Sequence, residues 1–243
     1  MVNHKMAKKI IITGASSGIG YQAALSLAKE GHTVFAVART LSKLEKLKEE
    51  AYKQSNSLNL HILAGNITDE IFGVTIKEEI LKHTKSIDVL INNAGFLVNK
   101  PFEELSTKDW QEVYATNVFA PVSLIKHLLP LFSHHETKGH IINIASMGGV
   151  QGSKKFKGLS AYSSAKAAII GLTECLAEEL SEKNIAVNCL ALGSAQTEMF
   201  SKAFPGIKAG TTAEQMASFV SWFAIEGQNL FNGKIIPVAN STP

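Results

Sequence analysis

The sequence predicts a doubly wound α/β fold: a parallel sheet of about seven strands with helices on both faces. Three observations lead there. Short apolar runs rich in β-branched residues recur along the chain, separated by segments of helical period. The runs are apolar on both alternating positions, as in strands covered on both faces. A helical segment stands between nearly every pair, which parallel neighbours require. At 243 residues, 45% hydrophobic and 19% charged, residues 1–243 fit one globular domain, since α/β folds reach this size undivided.

The elements follow in order. Lys9 to Thr13 is an isoleucine-rich run ending at Gly14, and helix-period apolar residues run from Ile19 through Leu27 until Gly31 stops them. Thr33 to Ala38 is a second strand, followed by a charged helix from Ser42 to about Gln54. Leu58 to Leu63, Val89 to Ile91, His140 to Ala145, Ile185 to Leu192 and Ile235 to Val238 are the remaining strands. Two long helices are expected, from about Thr107 to His134 and from about Ser160 to Glu182. Ser106-x-x-Asp109 opens the first as a capping box, and Thr211-x-x-Glu214 opens a later helix leading to Trp222. The less regular stretch at about 196–210, with Phe200, Phe204, Pro205 and Gly206, reads as a mobile flap over a site. No repeat, low-complexity tract or second domain is evident.

Several function classes are disfavoured. The net charge is +3 with both signs interspersed, unlike the basic stripe of a nucleic-acid binder. Cys175 and Cys189 have no C-x-x-C partner and read as buried reduced thiols. A reducing compartment is therefore expected. Met1 to Met6 lacks the apolar core of a signal peptide, and no run is long and apolar enough for a membrane span, so a cytoplasmic protein is expected. The histidines, including His134-His135 at a helix end, show no metal-ligand spacing, and there is no Gly-x-Ser-x-Gly elbow. No metal is called for.

Chemistry begins at Thr13-Gly14-Ala15-Ser16-Ser17-Gly18-Ile19-Gly20, where a strand turns sharply into a helix. Glycine is needed there for positive φ or close backbone approach, and the helix start directs free N–H groups at a pyrophosphate. Its place after a strand and before a helix is the context of a dinucleotide fingerprint, although a tight turn without ligand would use the same residues. Ala38-Arg39-Thr40 ends the second strand with no carboxylate for an adenosine ribose. Arg39 instead offers a charged donor fork suited to a 2′-phosphate, which points to NADP(H) over NAD(H).

Tyr162-Ser163-Ser164-Ala165-Lys166 puts a phenol and an ammonium one turn apart on a helix face. A tyrosine pKa of about 10 makes a poor base at neutral pH. A neighbouring ammonium is expected to lower it and to fit Tyr162 for proton transfer.

Together and in order, the glycine turn, Asn92-Asn93-Ala94-Gly95, Asn117, Ser146 and Tyr162/Lys166 resemble the short-chain dehydrogenase/reductase family, from about Ala7 to Val238. The resemblance implies a single-domain Rossmann fold and an oxidoreductase that interconverts a carbonyl and an alcohol by hydride transfer with NADP(H). It also implies roles: Tyr162 the general acid/base, Lys166 the holder of the nicotinamide ribose, Ser146 a donor to the substrate oxygen, and Asn117 the anchor of a water chain to Lys166. Cofactor contacts would come from Gly14, Ser16, Ser17, Gly18, Ile19, Gly20, Arg39, Asn66, Ile67, Asn93, Ala94, Gly95, Tyr162, Lys166, Gly193, Ala195 and Thr197. The chain departs from the family's pattern in places. Asn66 stands where Asp is common, Leu192-Gly193 where Pro-Gly is usual, and Ser17 where many NADP-preferring relatives carry Lys or Arg, leaving Arg39 most of the phosphate discrimination. A homodimer or homotetramer is implied, with the two long helices as its seam.

The stretch between Ser146 and Tyr162 is longer than the resemblance expects and carries Lys154, Lys155 and Lys157. These lysines either receive an anionic substrate or are solvated loop charge. Phe96, Met147, Met199 and Phe200 are candidates for an apolar pocket around a small carbonyl or alcohol substrate. The rival reading is a non-catalytic NADP(H)-sensing or scaffolding protein on the same fold.

Overall fold

The computed structural model describes residues 6–56, 58–132 and 137–240. Its sheet is built from β1 (Lys9–Thr13), β2 (Thr33–Ala38), β3 (Leu60–Ala64), β4 (Val89–Asn92), β5 (Gly139–Ser146), β6 (Ile185–Leu192) and β7 (Ile235–Val238). They lie in the order β3-β2-β1-β4-β5-β6-β7, each pairing parallel. The chain runs outward from β1 to β3, then returns to place β4 on the other side of β1. That reversal opens a crevice beyond the carboxyl ends of β1 and β4, where open α/β sheets bind ligands.

Why the strands read as unbroken apolar runs is now visible. Successive side chains of a strand point to opposite faces. Ile10 and Ile12 enter one core with Ala23, Leu27 and Leu44, under α1 (Gly18–Lys29), α2 (Leu41–Ser55) and α8 (Ala213–Leu230). Ile11, Phe35 and Val37 enter the other with Ile76 and Leu128, under α3 (Glu70–Leu81) and α5 (Ala120–Leu128). Both faces of the strand are buried, so neither can be polar.

The expected helix from Thr107 is divided. α4 (Thr107–Tyr114) passes through a π turn (Ala115–Phe119) into α5 and a 3-10 turn (Leu129–Leu131). Two residues explain the break. Asn117 Nδ2 takes the Val113 carbonyl at 2.8 Å, and Pro121 has no N–H to give the Asn117 carbonyl one turn earlier. His134 and His135 lie outside the described residues, as does the segment Met1–Lys5.

The Ser106–Asp109 capping box is formed at both ends. The second capping box sits one residue later than expected, between Thr212 and Gln215, because the helix starts at Ala213 rather than at the residue after Thr211. The other long helix, α6 (Ser160–Glu179), gives way to a 3-10 turn over Ser181–Lys183. Cys189 is buried as expected, but Cys175 is exposed. It lies on the outer side of α6 beside exposed Glu174, with Thr173 and Ala177 facing inward.

Candidate active site

The glycine turn folds back onto the end of β4. Gly14 and Gly18 have φ of +72° and +58°, a region that L side chains rarely adopt. A Cβ on Gly14 would stand 2.8 Å from Ala94 Cα, and one on Gly20 would stand 2.3 Å from Asn93 Nδ2. Hydrogen bonds fasten this contact: Thr13 Oγ1 accepts from the N–H groups of Asn93 (3.1 Å) and Ala94 (3.0 Å), while Asn93 Nδ2 donates to the Thr13 carbonyl (2.8 Å). Thr13, which the sequence reading passed over, is thus the clasp of the turn. Ser16, Ser17, Gly18 and Ile19 remain half-buried at its outer edge. Ser17 is the N-cap of α1 and its side chain makes no capping bond. The first N–H groups of α1 therefore have no side-chain acceptor, as a site for a pyrophosphate requires.

At the neighbouring strand ends, Arg39 is exposed beyond β2. Asn66 is exposed beyond β3, its Oδ1 accepting from Thr68 N at 3.3 Å, and Ile67 packs partly on the core beside it. These polar groups fit an adenosine half: a guanidinium with no carboxylate partner among the described residues and an amide at the rim.

α6 brings Tyr162 and Lys166 to the open end of β5. Lys166 is buried, and its Nζ donates to the Ile144 carbonyl at 2.7 Å. Two residues further along β5, Ser146 ends the strand, and its Oγ accepts from Gly148 N at 3.3 Å. That contact occupies a lone pair and leaves the hydroxyl hydrogen available. Asn117 is buried at the π turn, donating Nδ2 to the Phe96 carbonyl at 2.7 Å and accepting from Phe96 N at 3.4 Å. Gly95 joins these groups. A Cβ there would stand 3.2 Å from Asn117 Oδ1 and 3.8 Å from both Lys166 Nζ and the Met199 methyl. A side chain at position 95 would press on the Asn117 amide oxygen and only touch the ammonium.

The electrostatics correct one expectation. Lys166 Nζ lies 5.6 Å from the centre of the Tyr162 ring, over its face, and points its proton at Ile144. Burial pushes the Tyr162 phenol up to about 12, and burial pushes Lys166 down to about 8. An ammonium over the ring face, engaged by a carbonyl, does not offset the desolvation of a phenolate. At neutral pH this protein therefore holds a neutral phenol beside a cationic amine.

A buried polar ladder supports the site from below. Asn92 Nδ2 donates to Asn143 Oδ1 (2.9 Å), Asn143 Nδ2 to Thr173 Oγ1 (3.0 Å), and Thr173 to the Ile169 carbonyl (2.8 Å). It ties β4, β5 and α6 together. The signal was present in the sequence: asparagines inside otherwise apolar strands.

The segment after β6 closes the crevice. Gly193 N donates to the Val238 carbonyl at 2.9 Å, and a Cβ on Gly193 would meet Ala239 Cβ at 2.8 Å. Ala195 is buried. Thr197 caps α7 (Glu198–Ala203) by accepting from Phe200 N at 3.1 Å, and its methyl would lie 3.1 Å from a Cβ on Gly18. The stretch read as an irregular flap thus contains a helix and is tied at three points. Gln196 N donates to Thr211 O (2.8 Å), Ala209 N to Gln196 Oε1 (2.9 Å), and Asn99 Nδ2 to Ala203 O (2.8 Å). Phe204 meets Phe200 in a tilted ring pair and Phe156 edge-on, while Met147 is buried and Met199 partly exposed. In the lysine loop, Lys155 Nζ already donates to the Val150 carbonyl and to Ser153 Oγ.

A family model described as short chain dehydrogenase matches residues 8–208. This chain belongs to the short-chain dehydrogenase family. It is 30% identical over 241 residues to the 3-oxoacyl-(acyl-carrier-protein) reductase of Thermotoga maritima, covering 95% of this chain and 96% of that one. Among solved structures, L-sorbose reductase from Gluconobacter frateurii, complexed with NADPH and L-sorbose, superposes with a TM-score of 0.86. It is 26% identical and covers 97% of this chain and 96% of its own. A short chain dehydrogenase of Shigella flexneri complexed with NADP gives 0.87 at 26% identity, covering 96% and 98%. The seven-stranded parallel sheet flanked by helices is the Rossmann-like fold of these oxidoreductases. Among the described residues no helix is long and apolar enough to cross a membrane.

Proposed function

We propose that this short-chain dehydrogenase is an NADP(H)-dependent reductase of a ketone or aldehyde, with Asn117, Ser146, Tyr162 and Lys166 as its machinery. One observation carries the reading: α6 and β5 hold a neutral phenol, a buried ammonium and a free hydroxyl proton at the same open strand end. The NADP complexes of its structural neighbours support the cofactor choice. The nicotinamide coenzyme, when bound, supplies the hydride.

The residues do the rest. Ser146 Oγ donates to the carbonyl oxygen and orients the carbonyl carbon. As charge develops on that oxygen, Tyr162 gives its proton to it. A phenol pushed up to about 12 is fully protonated at neutral pH, which favours the reductive direction. Lys166, cationic at pH 7, holds the ribose hydroxyls and stabilises the phenolate left behind. The Asn117 carbonyl, released by Pro121, accepts from the water that returns a proton towards Lys166. The glycine turn with Ser16, Ser17 and Ile19 takes the pyrophosphate, and Arg39 the 2′-phosphate. Asn66, Ile67, Asn93, Ala94 and Gly95 border the adenosine side, and Gly193, Ala195 and Thr197 the nicotinamide side. On this reading residues 1–243 act as a single catalytic domain, in the cytoplasm, as a homodimer or homotetramer.

The test is consumption of NADPH with a panel of ketones and aldehydes by the native chain and by Tyr162→Phe. Loss of about 10³-fold in kcat/KM with NADPH binding retained is expected. Binding of NADPH by the native chain without turnover across the panel would favour the non-catalytic sensor instead.

A further inference from the structure

One ion pair spans the crevice. Lys43 Nζ lies 3.2 and 3.1 Å from the two carboxylate oxygens of Glu198. Lys43 belongs to the first turn of α2, immediately after Arg39 and the N-cap Thr40. Glu198 is the first residue of α7, immediately after Thr197, whose methyl reaches the glycine turn at Gly18. The pair therefore links the adenosine end of the crevice to the segment that covers its nicotinamide end.

Its energetics are informative. The two side chains are 42% and 59% exposed, so the pair contributes only about 0–1 kcal/mol to stability. A contact this weak between elements so distant in sequence is poorly explained as a structural staple. It is also easily exchanged. A phosphate dianion carries more charge and more acceptor oxygens than a carboxylate, and it outcompetes one for an ammonium. The Thr40 side chain makes no capping bond at the start of α2, so it does not satisfy the first N–H groups there.

We propose that Lys43 is the second cation for the 2′-phosphate of NADP(H), held by Glu198 until the phosphate displaces that carboxylate. Glu198 then determines how strongly the enzyme distinguishes NADP(H) from NAD(H), and α7 loses its tie to α2 when the phosphate arrives. This inference rests on the NADP reading above and assigns that site a second cation and its competitor.

The test is calorimetric titration of the full chain with adenosine 2′,5′-bisphosphate and with adenosine 5′-monophosphate, neither of which depends on turnover. Lys43→Met is expected to weaken the bisphosphate about fivefold while leaving the monophosphate within about twofold. Glu198→Gln is expected to tighten the bisphosphate about two- to threefold with little change for the monophosphate, a gain that Lys43→Met in the same chain removes. Equal shifts for both ligands, or weaker bisphosphate binding in Glu198→Gln, would make the pair a general strap and overturn the proposal. If native protein prefers the bisphosphate and Arg39→Ala abolishes that preference while Lys43→Met leaves it intact, this inference alone fails. If native protein does not distinguish the two ligands, the NADP reading fails and takes the inference with it.

Discussion

The two ends of β5 each bury a titratable side chain, and they treat it in opposite ways. At the entry end, His140 is enclosed between the sheet and α8. Asn188 Nδ2 donates to its Nε2 at 3.1 Å, and its Nδ1 faces the Ala224 carbonyl at 3.4 Å. The orientation of the Asn188 amide is set by backbone groups, since Oδ1 accepts from Lys234 N and Nδ2 also donates to Phe231 O. Nε2 must then be the unprotonated nitrogen, and the ring is fixed as one neutral tautomer. Burial pushes His140 down to about 3. At the exit end, burial pushes Lys166 only down to about 8, and its ammonium persists at neutral pH beside a crevice. The entry end is closed, with both ring nitrogens of His140 facing hydrogen-bond partners. The exit end keeps a buried charge with a single carbonyl partner, which is costly for stability and useful for chemistry.

The largest effect that sharpens this comparison is expected from Lys166→Met. The proposed reduction should slow by about 10²–10⁴-fold while unfolding in urea shifts to higher concentration. Lys166 has a folded pKa below its unfolded value of 10.5. The native state therefore carries a desolvation cost of about 3 kcal/mol below pH 8, relieved as pH rises from about 8 to 10.5. A variant less stable than native at pH 7 would contradict that cost. Ser146→Ala should lower kcat by about 10²-fold with unfolding unchanged.

Asn143→Ala strikes the ladder that supports the exit end. It leaves Asn92 and Thr173 without their partner and should destabilise by about 1–3 kcal/mol, measured by chemical denaturation. The entry end is tested through pH. Between about pH 6.5 and 3 the unfolded chain protonates His140 and the native state does not. Native stability should therefore fall with falling pH by up to about 1.4 kcal/mol per unit more than in His140→Gln. Identical slopes in the two proteins would show that the ring titrates freely.

Legibility differs by region for physical reasons. β6 runs over the expected residues because it is buried at every position and is apolar except at Asn188, while edge strand β7, only half-buried, was marked by its β-branched residues. α3 could not be bounded, since Ile71, Val74 and Leu81 are exposed apolar residues that blur its buried stripe of Phe72, Ile76 and Ile80. Which face of α6 turns outward was misjudged at Cys175. The clasp at Thr13 was invisible because its partners, Asn93 and Ala94, lie far along the chain and meet it only when β4 pairs with β1.

The sequence alone determined the fold class and brought Tyr162 and Lys166 onto one turn of one helix, because burial patterns and helical spacing are local properties. Only the tertiary structure decided the protonation states there, the division of the long helix at Asn117, and the meeting of Lys43 with Glu198. Those depend on desolvation and on contacts between segments distant in the chain, and neither is written in any single stretch of residues.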